Sequence, residues 1–157
     1  MKGIVAAEIR MGYRNLSDEA FVHAFESCEI VGQSFRHADH VRLAWIYVTK
    51  HGLRGAERRF CQGLERLAAH LGVPEKYHLT VTLAWLRAVA ARVTPGRAES
   101  FDTWIAANPG LLDRQFLHHY YSELRLASSE ARTSWVEPDR RTLTDTSVGE
   151  ALVEEGL

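Results

Sequence analysis

Three histidines stand where shared chemistry is possible. In Phe35-Arg36-His37-Ala38-Asp39-His40-Val41-Arg42 two imidazoles are three residues apart, so on a helix they project from one face about a turn apart. A third, His78, lies in Glu75-Lys76-Tyr77-His78-Leu79-Thr80, in the first turn of a further predicted helix, where it can meet the pair across a bundle. As neutral imidazoles, His37, His40 and His78 would bind a divalent metal and leave positions open for water or substrate. Zinc would suit hydrolysis or elimination, by activating water or polarising a carbonyl, whereas iron or copper would suit oxygen chemistry. Three histidines do not choose among them. An imidazole also titrates near neutral pH, so His40 or His78 can act as a general base without metal, with Tyr77 or Tyr120 orienting the substrate. A third reading is a non-catalytic protein whose aromatic-rich pocket holds a small molecule. For any one of these histidines alone, a hydrogen-bonded core residue is the simpler account, because each nitrogen of a buried ring needs a partner.

Around that set the sequence offers secondary candidates. Asp39 or a backbone carbonyl can orient a ligating ring. Arg36 and Arg42 are candidate carboxylate-binding groups, with Trp45 a further substrate-binding candidate, and Tyr77 and Tyr120 are candidate catalytic proton donors. His118 and His119 are adjacent, and successive helical residues diverge by about 100°, so only one of them can approach the site.

The elements that must position these groups read as helices. Ser17 followed by Asp18 and Glu19 starts a first helix carrying Phe21, Phe25 and Cys28, expected to end before Gly32. A second, capped by Ser34, runs from about Phe35 to Lys50 and stops at Gly52; its row His37, Val41, Ala44 and Val48 puts both histidines on or beside the core stripe. The third, from about Leu53 to Leu71, is the most regular, with Ala56, Phe60, Leu64 and Leu67 recurring at three- and four-residue steps. Gly72 and Pro74 redirect the chain into a fourth helix that begins within 74–78 and reaches Val93. Ser100 caps a fifth, short helix stopped by Asn108-Pro109-Gly110; Leu111, Leu112, Phe116, Leu117 and Tyr120 predict a sixth; and Ser128-Ser129-Glu130-Ala131 starts another.

The linked motifs Phe35-x-His37-x-x-His40-x-x-x-Ala44-Trp45-x-Tyr47, Lys76-Tyr77-His78-x-Thr80, Asn108-Pro109-x-Leu111-Leu112 and Tyr120-Tyr121-Ser122 resemble a family of small, largely uncharacterised bacterial helical proteins. The resemblance covers about residues 21–139 and implies that His37, His40 and His78 belong together; it implies no reaction. In that family an acidic residue often follows the third histidine, where this chain has Leu79, so any role of that acid is lost or replaced here.

Composition sets the remaining bounds. At 157 residues, 46% hydrophobic and 25% charged, the chain is expected to form one helical domain over 1–140, able to bury its core without disulfides or structural metal, followed by a mobile acidic tail over 141–157. Nineteen Lys and Arg against twenty Asp and Glu give a formal charge of −1, which offers no global field for nucleic acid or an anionic membrane. Cys28 and Cys61 are too few and too far apart for a disulfide framework or a thiolate zinc motif. The first residues lack the length of apolar run that a signal peptide needs, and no stretch is long enough to span a membrane, so a cytoplasmic location is expected. The partner expected is a small-molecule substrate, and the Arg-rich and aromatic stretches are compatible with a homodimer. There is no His-Glu-x-x-His motif, phosphate-binding glycine loop, dinucleotide fingerprint or haem-attachment motif, and Asp39-His40 reverses the His-Asp order of phosphohydrolases named for it. The architecture expected is all-α, a compact bundle of roughly five to seven helices.

Overall fold

The computed structural model describes residues 13–30 and 34–148, and among them every regular element is helical. Among the described residues there are six α-helices: α1 (Asp18–Glu26), α2 (His37–His70), α3 (Leu79–Ala90), α4 (Phe101–Ala107), α5 (Glu123–Leu126) and α6 (Ser129–Thr133). Short 3-10 turns cover Tyr13–Asn15, Pro74–Lys76, Pro109–Leu112 and Phe116–His119. The all-α bundle expected from periodicity is what forms.

The central element is α2, which is a helical hairpin rather than a rod. Gly52 adopts φ 69° and ψ 169°, a backbone conformation essentially confined to glycine, and it divides the helix into arms 37–51 and 53–70. On a straight helix Tyr47 and Phe60 would be about 20 Å apart, yet their ring centroids are 6.0 Å apart. The arms therefore fold back on each other, as two predicted helices meeting at Gly52 require.

Helix α1 packs on both arms. Its start is the expected one, with Ser17 Oγ accepting the Ala20 amide and two acids in the first turn. Gly63 on the second arm has no side chain because the Phe25 ring occupies that space: a Cβ there would lie 2.4 Å from Phe25 Cε1. Tyr13, Phe21, Phe25, Phe35, Tyr47 and Phe60 make one chain of ring contacts between these elements. Arg42, a predicted carboxylate binder, donates to the Tyr13 and Leu16 carbonyls, both at 2.7 Å, and pairs with Asp18 at 2.9 Å. It staples the segment before α1 to the first arm.

Helix α3 packs against α2, and α4 is capped by Ser100 as expected. Three sequence-based expectations change. Ser34 does not cap α2: Arg36 holds the cap position, and Asp39 Oδ2 accepts its amide at 2.9 Å. The sixth predicted helix is replaced by two 3-10 turns, because Pro109 and the polar run Asp113-Arg114-Gln115 interrupt the apolar row. The segment expected to be free from residue 141 is packed against the bundle as far as it is described. Leu143 is buried, Tyr120 Oη donates to the Asp145 carbonyl at 2.7 Å, and Arg92 donates to the Val148 carbonyl. The first twelve residues, the expected terminator Gly32 and the acidic end 149–157 lie outside the described residues.

Candidate functional site

The open end of the α2 hairpin, α3 and the turn before it together border an open cavity of about 1090 Å³. His37 and His40 enter from the first turn of α2, and Phe60, Leu64 and Leu67 from the second arm. Lys76, Tyr77 and His78 come from the turn into α3, Thr82 and Trp85 from α3 itself, and Arg114 from the loop after Pro109–Leu112. The three histidines singled out by spacing thus border one cavity, together with Tyr77.

Each ring is fixed by a backbone partner. His37 Nε2 lies 2.9 Å from the Leu111 carbonyl. A carbonyl only accepts, so Nε2 carries the proton and Nδ1 keeps its lone pair. The ring also rests against Trp85, with centroids 4.6 Å apart. His40 is the reverse tautomer: Nδ1 lies 3.0 Å from the Arg36 carbonyl, leaving Nε2 bare, and the ring stacks on Phe35 at 3.9 Å. Asp39, by holding the Arg36 amide, braces the carbonyl that orients His40. Burial lowers both pKa values, and the Arg114 cation lowers them further. His40 is pushed down to about 4, and His37 is lowered although its bond to Leu111 and the neighbouring Asp113 oppose the shift. Both are neutral bases at physiological pH.

His78 is placed differently from the expectation of a residue inside the first helical turn. It is the N-cap of α3: Nδ1 accepts the Val81 amide at 3.1 Å, and Nε2 donates to the Leu126 carbonyl at 2.8 Å. Both nitrogens are used, so in this arrangement it has no lone pair to give a metal. Nor does any group of three His, Cys, Asp or Glu side chains with metal-binding geometry occur among the described residues. The residues present do not fit the expected three-histidine centre, although His37 and His40 each keep a free nitrogen.

Tyr77 borders the cavity, its hydroxyl beside the Cys61 thiol, and burial raises both pKa values, so the phenol stays protonated and can donate. The remaining candidates lie elsewhere. Tyr120 is fully buried between Arg92 and the Asp145 carbonyl, at 2.9 and 2.7 Å, and is a peg for the closing segment. Trp45 is core, packed on Phe101 and Trp104. The Arg36 side chain is exposed, and neither it nor Arg42, His118 or His119 borders the cavity. Arg114 was not singled out in the sequence, since nothing in Leu112-Asp113-Arg114-Gln115 signals that an irregular loop returns to α2. Trp85 was legible only as a core residue of its helix.

A comparison with protein-family models finds no match, and neither curated proteins nor solved structures match the chain. The grouping of the three histidines therefore rests on the geometry of this chain.

Proposed function

We propose that the chain is an enzyme that moves a proton on a small molecule held in the α2–α3 cavity, without a metal. The observation that carries this is the pair of imidazoles bordering the cavity, each locked in one tautomer by a backbone carbonyl and left with its other nitrogen unbonded. A base works best when its pKa is near the working pH. His40, at about 4, is too weak a base for that and suits the role of a neutral hydrogen-bond acceptor that positions substrate. His37, lowered but supported by the Leu111 carbonyl and Asp113, is the better proton acceptor. Tyr77 keeps its proton and, on giving up its bond to Cys61, donates to an oxygen that gains charge. His78 holds the end of α3 in place, and thereby the wall carrying Trp85.

The test is solvent exchange. The protein is incubated in D2O with a panel of small carboxylic and carbonyl compounds, and loss of carbon-bound hydrogen is followed by NMR. We expect exchange in at least one compound, lost in His37→Gln and weakened but present in His40→Gln. No exchange across the panel, or exchange indifferent to His37, contradicts the assignment.

One observation favours a second reading. Imidazoles that bind metal commonly donate their other N–H to a backbone carbonyl, as His37 and His40 do. A divalent metal such as zinc, iron or copper would then sit on His37 Nδ1 and His40 Nε2, with His78 joining only on giving up its cap bond to Val81. About one equivalent of metal retained by purified protein, and lost in both His37→Ala and His40→Ala, would favour this reading over the metal-free one.

A further inference from the structure

The composition of the cavity wall points beyond proton transfer to the kind of molecule that enters, an inference that rests on reading the cavity as a small-molecule site. Its long wall is apolar: Phe60, Leu64 and Leu67 face the cavity from the second arm of α2, and Trp85 from α3. Among the described residues its Lys and Arg lining groups are Lys76 and Arg114, both on exposed residues, and no Asp or Glu lines it. Among the described residues neither cation belongs to an ion pair, although elsewhere Arg42, Arg87, Arg97 and Arg141 each have a carboxylate within 4.0 Å. The acid next in sequence to Arg114 is engaged with its own loop, Asp113 Oδ1 accepting the Gln115 amide at 2.9 Å. The polar groups inside are neutral imidazoles and a protonated phenol, which accept or donate hydrogen bonds without competing for an anion's charge.

From this the geometry points to a ligand with one carboxylate on an apolar body, entering with the carboxylate at Arg114 and the apolar part along Trp85 and the leucines. A planar guanidinium matches a carboxylate with two parallel hydrogen bonds, and burial against aliphatic and aromatic walls supplies affinity in proportion to apolar area. A volume of about 1090 Å³ is at the upper end for a drug-sized ligand, so a body of about ten carbons fits inside. Placing the anion at Arg114 also masks the cation that depresses His37, so a bound carboxylate makes His37 a stronger base.

The experiment is isothermal titration of the full chain with decanoate, octanoate, decanol and decylamine. Decanoate is expected to bind about tenfold tighter than octanoate, as roughly fourfold per buried methylene allows. It is also expected to bind at least about tenfold tighter than decanol, as a charge-assisted contact allows, with decylamine weakest. The double variant Arg114→Ala/Lys76→Ala changes only exposed side chains and is checked for folding by circular dichroism. It should bind decanoate and decanol equally, while His37→Gln keeps the wild-type preference. Equal affinity for decanoate and decanol in the wild type, or a preference surviving in the double variant, overturns the carboxylate assignment. No saturable binding of any of the four overturns the apolar site itself. If His37→Gln abolishes solvent exchange while the decanoate preference stands, both readings hold; if exchange is never seen but the preference is, the proton-transfer reading fails and the ligand class stands.

Discussion

A buried imidazole that stays neutral makes the fold sensitive to acid, and at the scale of single residues His40 gives the clearest case. Its folded pKa is about 4 against 6.5 for an ordinary histidine. The unfolded chain therefore takes up a proton below about pH 6.5 that the folded one refuses until about pH 4. The contribution is fully present above about pH 6.5 and is lost as pH falls toward 4, by up to about 3 kcal/mol. His40→Gln should flatten that part of the stability curve in urea titrations between pH 7 and 4, and an unchanged slope would contradict the burial of this ring. Thr80 gives a second case. It is fully buried, with its hydroxyl donating to the Ser134 carbonyl at 2.7 Å and accepting the Val136 amide at 3.2 Å. Thr80→Val keeps the shape and leaves both groups unpaired, so a loss of about 1–3 kcal/mol is expected in chemical denaturation. Such residues show what could be read in advance. The i, i+3 spacing was enough to place His37 and His40 together, and a third histidine near a helix start was enough to find His78. Which nitrogen His37 and His78 use depends on carbonyls 74 and 48 residues away in sequence, and no local pattern encodes that, whereas the His40 ring turns to the Arg36 carbonyl four residues before it.

At the scale of elements, one glycine does the positioning. Gly52 must hold φ 69° with ψ 169° for α2 to fold back and bring His37 and His40 to the end of the second arm. Nothing lies within 4 Å of a Cβ placed there, so Gly52→Ala tests backbone strain alone. A loss of about 1–3 kcal/mol is expected; a neutral substitution would mean the turn is not held as described. The helices with strong signals were legible: the Ser17, Ser100 and Ser128 caps each accept the expected amide, and Gly52 ends one helical pattern where the next begins. The stretch 109–120 misled because apolar residues at near-helical steps also suit two 3-10 turns packed on a core. Ser122 caps α5 in the same way as the other serines, but four residues are too few to show a period.

For the whole molecule, the closing segment acts as a strap. Arg140 N donates to the Tyr120 carbonyl at 2.9 Å, Leu143 is buried, and Tyr120 and Arg92 both bind carbonyls of 145–148. Truncation after Asp139 removes these contacts and should destabilise the protein by about 2–4 kcal/mol in urea denaturation. An unchanged midpoint would show that the strap contributes nothing. Acidic, aperiodic sequence gave little sign of it, because irregular chain held by its carbonyls carries no hydrophobic period. No helix among the described residues is long and apolar enough to cross a membrane.

The most direct test is a long-range proton–nitrogen NMR spectrum of histidine-labelled protein at about pH 7.5, assigned with His37→Gln and His40→Gln. We expect two neutral, non-averaging rings of opposite tautomer, His37 protonated on Nε2 and His40 on Nδ1. Rings that are charged at about pH 7.5, or that average between tautomers, would contradict the carbonyl-locked pair on which the proposed chemistry depends.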